Sequence, residues 1–215
     1  MTQQLINIHT HQESTNEEHI EIISLFHNAS IPEGILFSIG AHPWHAEKNT
    51  PQALIDEIFP KVRFAFAIGE CGLDRSSSTN WDKQVKLFRL QIELSEQIRK
   101  PLIIHAVKSY PDIIALKKMY QPKQAWIIHG YQGNSENMQQ LTQHGLYLSY
   151  GADLLRNQSK LDDCLINTPK DKLFFETDEA SANILNVYEY AARLRNISIE
   201  SLTEQIHKNF AAIKA

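Results

Sequence analysis

Eight short apolar runs, each closed by polar, Gly or Pro residues, constrain this chain more than anything else in it. They occupy residues 5–9, 20–26, 36–39, 64–68, 102–104, 125–128, 146–150 and 173–176, and are rich in β-branched and aromatic side chains without a helical period. Helical spacing fills the intervals between the later runs. It is clearest at 80–99, where Trp81, Val85, Phe88, Ile92 and Ile98 fall on one stripe and Pro101 bars continuation. Thr50 and Pro51 open a helix over 52–59, and Ser109 with Pro111 opens one over 112–119. Asn134 or Ser135 caps a helix reaching His144, which Gly145 ends, and 183–195 and 198–213 form two more helices separated by Asn196. Eight strands alternating with helices give an α/β fold, the TIM-type (β/α)8 barrel. The gaps at 12–19 and 27–35 are too short for ordinary helical crossovers. The first quarter is therefore expected to be distorted, with missing helices or an antiparallel second strand. No repeat or linker interrupts residues 1–215, so a single domain is expected.

Charge and cysteine content narrow the function. The 21 Lys and Arg against 25 Asp and Glu leave a net charge of −4, which argues against a protein held to nucleic acid by a basic surface. Two cysteines, Cys71 and Cys164, do not make a disulfide scaffold, and the opening residues lack the pattern of a secretory signal. A reducing, cytoplasmic setting is the expectation. Runs such as 101–104, stopped at once by His105, are far too short to span a bilayer, so no membrane association is expected, and a monomer is favoured.

Chemistry-bearing residues sit where the apolar runs end. His9 and His11 lie two apart, so their side chains point to one side of an ending strand. Glu70 follows its run inside Ile68-Gly69-Glu70-Cys71-Gly72-Leu73-Asp74, where two glycines permit close backbone approach. His105 closes Pro101-Leu102-Ile103-Ile104, His129 closes Trp126-Ile127-Ile128, and Asp178 ends Leu173-Phe174-Phe175-Glu176-Thr177. A barrel gathers the carboxyl ends of its strands on one face, which would bring these six together. Imidazoles and carboxylates are ligands for borderline divalent ions, and six exceed what one tetrahedral ion needs, so a two-metal hydrolytic site is expected.

These segments resemble the TatD family of metal-dependent deoxyribonucleases, among the amidohydrolase-like barrels. The likeness covers nearly the whole chain: His9-Thr10-His11; Ser38-Ile39-Gly40-Ala41-His42-Pro43; Ile68 to Asp74; Gln84, Phe88 and Gln91 leading to Lys100-Pro101-Leu102-Ile103-Ile104-His105; His129-Gly130-Tyr131-Gln132-Gly133; Glu176-Thr177-Asp178; and a last helix carrying Asn209-Phe210. The resemblance implies that His9, His11 and Asp178 hold one divalent ion, Mg, Mn or Zn, and that His105 and His129 hold a second. It also implies that Glu70 bridges the two and that Asp178 accepts the proton of the attacking water. The implied activity is hydrolysis of DNA phosphodiesters, in single strands or at ends, with His42 or Lys108 touching a phosphate.

The sequence departs from the family pattern in three places. Asn7 stands where the family has Asp, Val107 where an arginine is expected, and the chain is compact. Two other readings follow: the same metal site acting on a small ester, amide or phosphoester, or a metal-binding barrel without turnover. Several further residues read as structural. Cys71 reads as packing, His19, His27, His144 and His207 as surface, and Lys117, Lys118 and Lys123 as a solvated face. Trp44 and His45 either stack a base or pack at a rim, and Ser76 to Thr79 form a loop or a flap.

Overall fold

The computed structural model describes residues 3–12, 19–156 and 159–214. Eight strands follow one another across one sheet in sequence order. They are β1 (Leu5–Thr10), β2 (His19–Phe26), β3 (Phe37–Gly40), β4 (Ala67–Asp74), β5 (Leu102–Val107), β6 (Trp126–Ile128), β7 (Tyr147–Tyr150) and β8 (Leu173–Phe175). The helices are α1 (Pro51–Val62), α2 (Trp81–Ile98), α3 (Tyr110–Tyr120), α4 (Ser135–Gln143), α5 (Ser159–Asn167), α6 (Ile184–Leu194) and α7 (Ile199–Ile213). The chain folds as two compact units, one made of residues 1–23 and 128–215, the other of 24–127.

In the first unit β1 is buried along its whole length, the polar Asn7, His9 and Thr10 together with the apolar Leu5, Ile6 and Ile8. Tyr188 from α6 anchors it. The Tyr188 hydroxyl donates to the Ile6 carbonyl at 2.9 Å and accepts from the Ile6 amide at 3.2 Å. Asn209 of α7 donates to the carbonyls of Lys170 and Leu173, both at 2.8 Å, and so ties the last helix to the entrance of β8. β2 runs parallel to β1, with Leu5 opposite His19 and Thr10 opposite Ile23. The antiparallel alternative is thereby excluded. Residues 13–18, where the shortened first crossover falls, lie outside the described residues, and β2 reaches β3 without an intervening helix.

In the second unit the buried face of α2 shares Phe88 and Ile92 with the stripe read from the sequence, while Trp81, Val85 and Ile98 are only half-buried. It runs through Gln84, Leu87, Phe88, Gln91, Ile92 and Ser95. Polar residues are tolerated there because each is satisfied. Gln91 accepts from the Ala41 amide at 2.8 Å and donates to the Ala41 carbonyl at 3.0 Å, pinning the end of β3. Gln84 accepts from the Asp74 amide and donates to the carbonyls of Asp74 and Thr79, pinning the end of β4. α1 continues through Pro60 to Val62, three residues beyond the expected stop at Phe59.

β4 also differs from expectation. It begins at Ala67, leaving Phe64 exposed, and runs on through Glu70 to Asp74 rather than ending before the glutamate. Ile68 pairs with Leu102 and Cys71 with Ile104, so three steps on β4 face two on β5. The same mismatch occurs on β1, where Asn7 faces Glu21 and Thr10 faces Ile23. Such bulges re-aim side chains out of strict alternation, and these two sit at His9 and at Glu70.

Candidate metal centre

The second unit brings Glu70, His105 and His42 together, with ligand-type atoms of all three within 4.8 Å of one another. Glu70 Oε1 lies 2.9 Å from His105 Nδ1 and 3.3 Å from His42 Nε2. His42 Nδ1 accepts from the Trp44 amide at 3.2 Å, which leaves Nε2 to face the glutamate. The other face of His105 meets Asp74, whose Oδ2 is 3.2 Å from Nε2. Burial pulls the Asp74 pKa up. Hydrogen bonds from Trp44, His105 and the Ser76 amide outweigh it and hold the carboxyl below its ordinary value. An ionised Asp74 only accepts, so it fixes the proton on Nε2 and turns the Nδ1 lone pair toward Glu70. Nδ1 and Glu70 Oε1, 2.9 Å apart, are both ligand-type atoms, and either an imidazolium proton or a divalent ion between them would satisfy the pair.

In the first unit His9 Nε2 and His11 Nε2 lie 3.3 and 3.6 Å from Asp178 Oδ1. Two atoms bound to one tetrahedral ion at roughly 2.0–2.2 Å are about 3.4 Å apart, so these separations suit shared ligation better than hydrogen bonding. The His129 ring lies 4.2 Å from that of His9 between centroids. Backbone contacts hold Asp178 in place. Its amide donates to the His9 carbonyl, its carbonyl accepts from the His11 amide, and Thr10 forms a parallel bridge with it. Asp178 itself has φ +52°.

Glu176, fully buried, stands behind His129. Its Oε1 is 3.4 Å from His129 Nδ1 and accepts from the Gly130 amide at 2.6 Å, while Oε2 has no hydrogen-bond partner among the described residues. A buried carboxylate beside an imidazole fits a cation close by. Asn7 bonds Thr177 in both directions, donating to its hydroxyl at 2.9 Å and accepting from its amide at 3.1 Å. It thus supplies a neutral strut where a charge was expected.

The donor chemistry and spacing in each unit fit divalent ions. Sequence reasoning missed the supporting roles of Asp74 and Glu176. In the sequence Asp74 stands at the end of the Ile68-to-Asp74 motif and Glu176 beside Asp178, and nothing local marks either as the partner of an imidazole. Lys108 is exposed, with φ +51°, at the turn after β5. His45 does not present itself for stacking. It packs against His27 at 4.5 Å between centroids, and burial, followed by the charges of His27 and His42, lowers its pKa to about 4. The surface reading of His27 is therefore corrected, since its side chain is only 13% exposed. Lys117 is also not simply solvated, because its Nζ lies 5.0 Å from the Trp126 ring centre.

Parallel strands whose carboxyl ends carry imidazoles and carboxylates suited to divalent ions define a metal-dependent hydrolase of the α/β-barrel class. Residues 2–213 match the family described as TatD related DNase, and the chain belongs to that family. It is 29% identical over 192 residues to an uncharacterized metal-dependent hydrolase of Buchnera aphidicola subsp. Baizongia pistaciae, spanning 82% of this chain and 72% of that protein. It is 26% identical over 198 residues to the uncharacterized metal-dependent hydrolase YcfH of Escherichia coli, spanning 84% and 74%. Among solved structures, the TatD homologue YjjV of Escherichia coli superposes with a TM-score of 0.84 over 99% of this chain and 98% of that one, at 17% identity, which shows the shared barrel fold.

Proposed function

We propose that this protein hydrolyses phosphodiester bonds in DNA, acting on single strands or ends. The residues that would hold divalent ions are His9, His11, His129 and Asp178 in the first unit and Glu70 and His105 in the second. When bound, such ions lower the pKa of coordinated water and offset charge on a phosphoryl oxygen. Asp178, with 40% of its side chain exposed, accepts the proton of the attacking water on its carboxylate. Asp74 and Glu176 orient the imidazoles of His105 and His129. His42 Nε2, held toward Glu70 by its contact with the Trp44 amide, is positioned to donate to a phosphate oxygen.

The observation that carries this reading is the arrangement of His9 and His11 about one Asp178 oxygen at 3.3 and 3.6 Å. Membership of the family described as TatD related DNase supports the choice of DNA as substrate class. The small-ester reading keeps one specific support: Val107 stands where a phosphate-gripping arginine is expected. The test is incubation of the purified protein with Mg²⁺, Mn²⁺ or Zn²⁺ and either single-stranded DNA or a panel of small esters and phosphoesters. DNA cleavage is expected, lost by a factor of roughly 10² or more in His105→Ala and Asp178→Asn. Turnover of small esters with intact DNA would replace the phosphodiester reading with its rival.

A further inference from the structure

We propose that the cleft beside Trp44 is a subsite for one unpaired nucleobase of the substrate, with the indole as its stacking platform. The cleft, about 510 Å³, lies wholly within the second unit and is lined by Trp44, Glu47, Lys48, Asp74 and the hydroxyl-bearing residues Ser76 to Thr79. Trp44 is 57% exposed, yet its ring is not loose. The indole N–H donates to Asp74 Oδ2 at 2.8 Å, and the ring meets His42 edge-on at 4.5 Å between centroids. An exposed aromatic face that is already ordered loses little entropy on stacking a base.

The opposite wall is built as well. Gln84 donates to the Asp74 and Thr79 carbonyls, Ser77 bonds Thr79, and the Thr79 hydroxyl reaches the Trp44 carbonyl at 3.5 Å. The flap reading of Ser76 to Thr79 gives way to a pinned loop. Both lining carboxylates are engaged. Asp74 receives Trp44, His105 and the Ser76 amide, while Glu47 receives Lys83 and the Asn80 amide. Their charge is therefore partly answered, and the exposed Lys48 adds a cation at the edge. Asp74 Oδ2 serves Trp44 and His105 together, so the stacking face is locked to a ligand-bearing histidine. A planar face, hydroxyl donors and acceptors, and a nearby cation match a nucleotide adjacent to the bond being cut.

This proposal rests on the phosphodiester reading, and its test is separable from it. Wild-type protein, loaded with divalent metal, is titrated with a nuclease-resistant phosphorothioate trithymidylate and with the same backbone carrying abasic sites. Intrinsic fluorescence is followed, since Trp126 is buried and Trp81 lies beneath Arg75. The expected result is quenching by the base-bearing oligomer and roughly five- to hundredfold weaker binding of the abasic one. Any change in kcat from losing the N–H to Asp74 should be common to Trp44→Ala and Trp44→Phe, whereas Trp44→Ala alone should raise KM for ordinary trithymidylate and lose the base preference. Trp44→Phe, which keeps a ring face but not the N–H, should retain most of it. Equal binding of the two oligomers, or equal losses in the Phe and Ala variants, would overturn the subsite. If quenching is seen without cleavage of ordinary trithymidylate, the subsite stands and the phosphodiester reading falls.

Discussion

Glu176 and Asp74 do the same work behind different histidines, and neither is a metal ligand in the family likeness. Removing such a partner leaves the ligand in place but frees its ring to turn or to choose the other tautomer. Glu176→Gln is therefore expected to weaken divalent-metal affinity about 10- to 100-fold, as measured by calorimetric titration, while the circular dichroism spectrum is unchanged. His45 makes a second prediction, on pH. Its folded pKa is lowered to about 4 from an ordinary value of 6.5, so the unfolded chain binds the extra proton first as pH falls. The stability from keeping it neutral is complete above about pH 6.5 and is lost progressively down to about pH 4. Denaturant midpoints at pH 7 and pH 5 should show a smaller drop for His45→Gln than for wild type.

Six of the helices were legible because their signals are local: Thr50 accepts from the Ala53 amide, Asn80 from Lys83 and Ser198 from Ser201, each a cap visible in the sequence; α5 was not anticipated. Strand β4 was legible only in part: the apolar run 64–68 marks it, but from Gly69 to Asp74 only Cys71 and Leu73 are apolar and two glycines weaken the signal. Its pairing with β5 supplies what the local sequence lacks. The bulges at His9 and Glu70 left no trace in residue pattern, since register depends on the neighbouring strand. The imidazoles and carboxylates that come together in each unit stand at the ends of the apolar runs, where the sequence displays them. The carboxylates behind them were not readable, because nothing along the chain says which acid meets which ring. Gly72 tests the β4 geometry directly. It has φ +139°, and a Cβ there would collide with the His105 carbonyl. Gly72→Ala is expected to lower stability by at least ~2 kcal/mol, a fall in Tm of about 4–8 °C by thermal denaturation.

Taken whole, the protein has a net charge of −4, and no helix among the described residues is long and apolar enough to cross a membrane. On the proposed phosphodiester reading, a hydrolase of this charge balance grips few phosphates at once. If it neutralises one or two, raising salt from 50 to 200 mM should increase KM for single-stranded DNA only about three- to sevenfold. A rise of a hundredfold or more in steady-state assays would point to a broad cationic track instead. The first unit is assembled from two distant stretches, residues 1–23 and 128–215. His9 and His11 leave the ribosome early, yet Asp178, which completes their set, emerges some 170 residues later. Should the protein cut DNA as proposed, a half-made polypeptide would lack the last carboxylate of the set, because synthesis itself delivers Asp178 late.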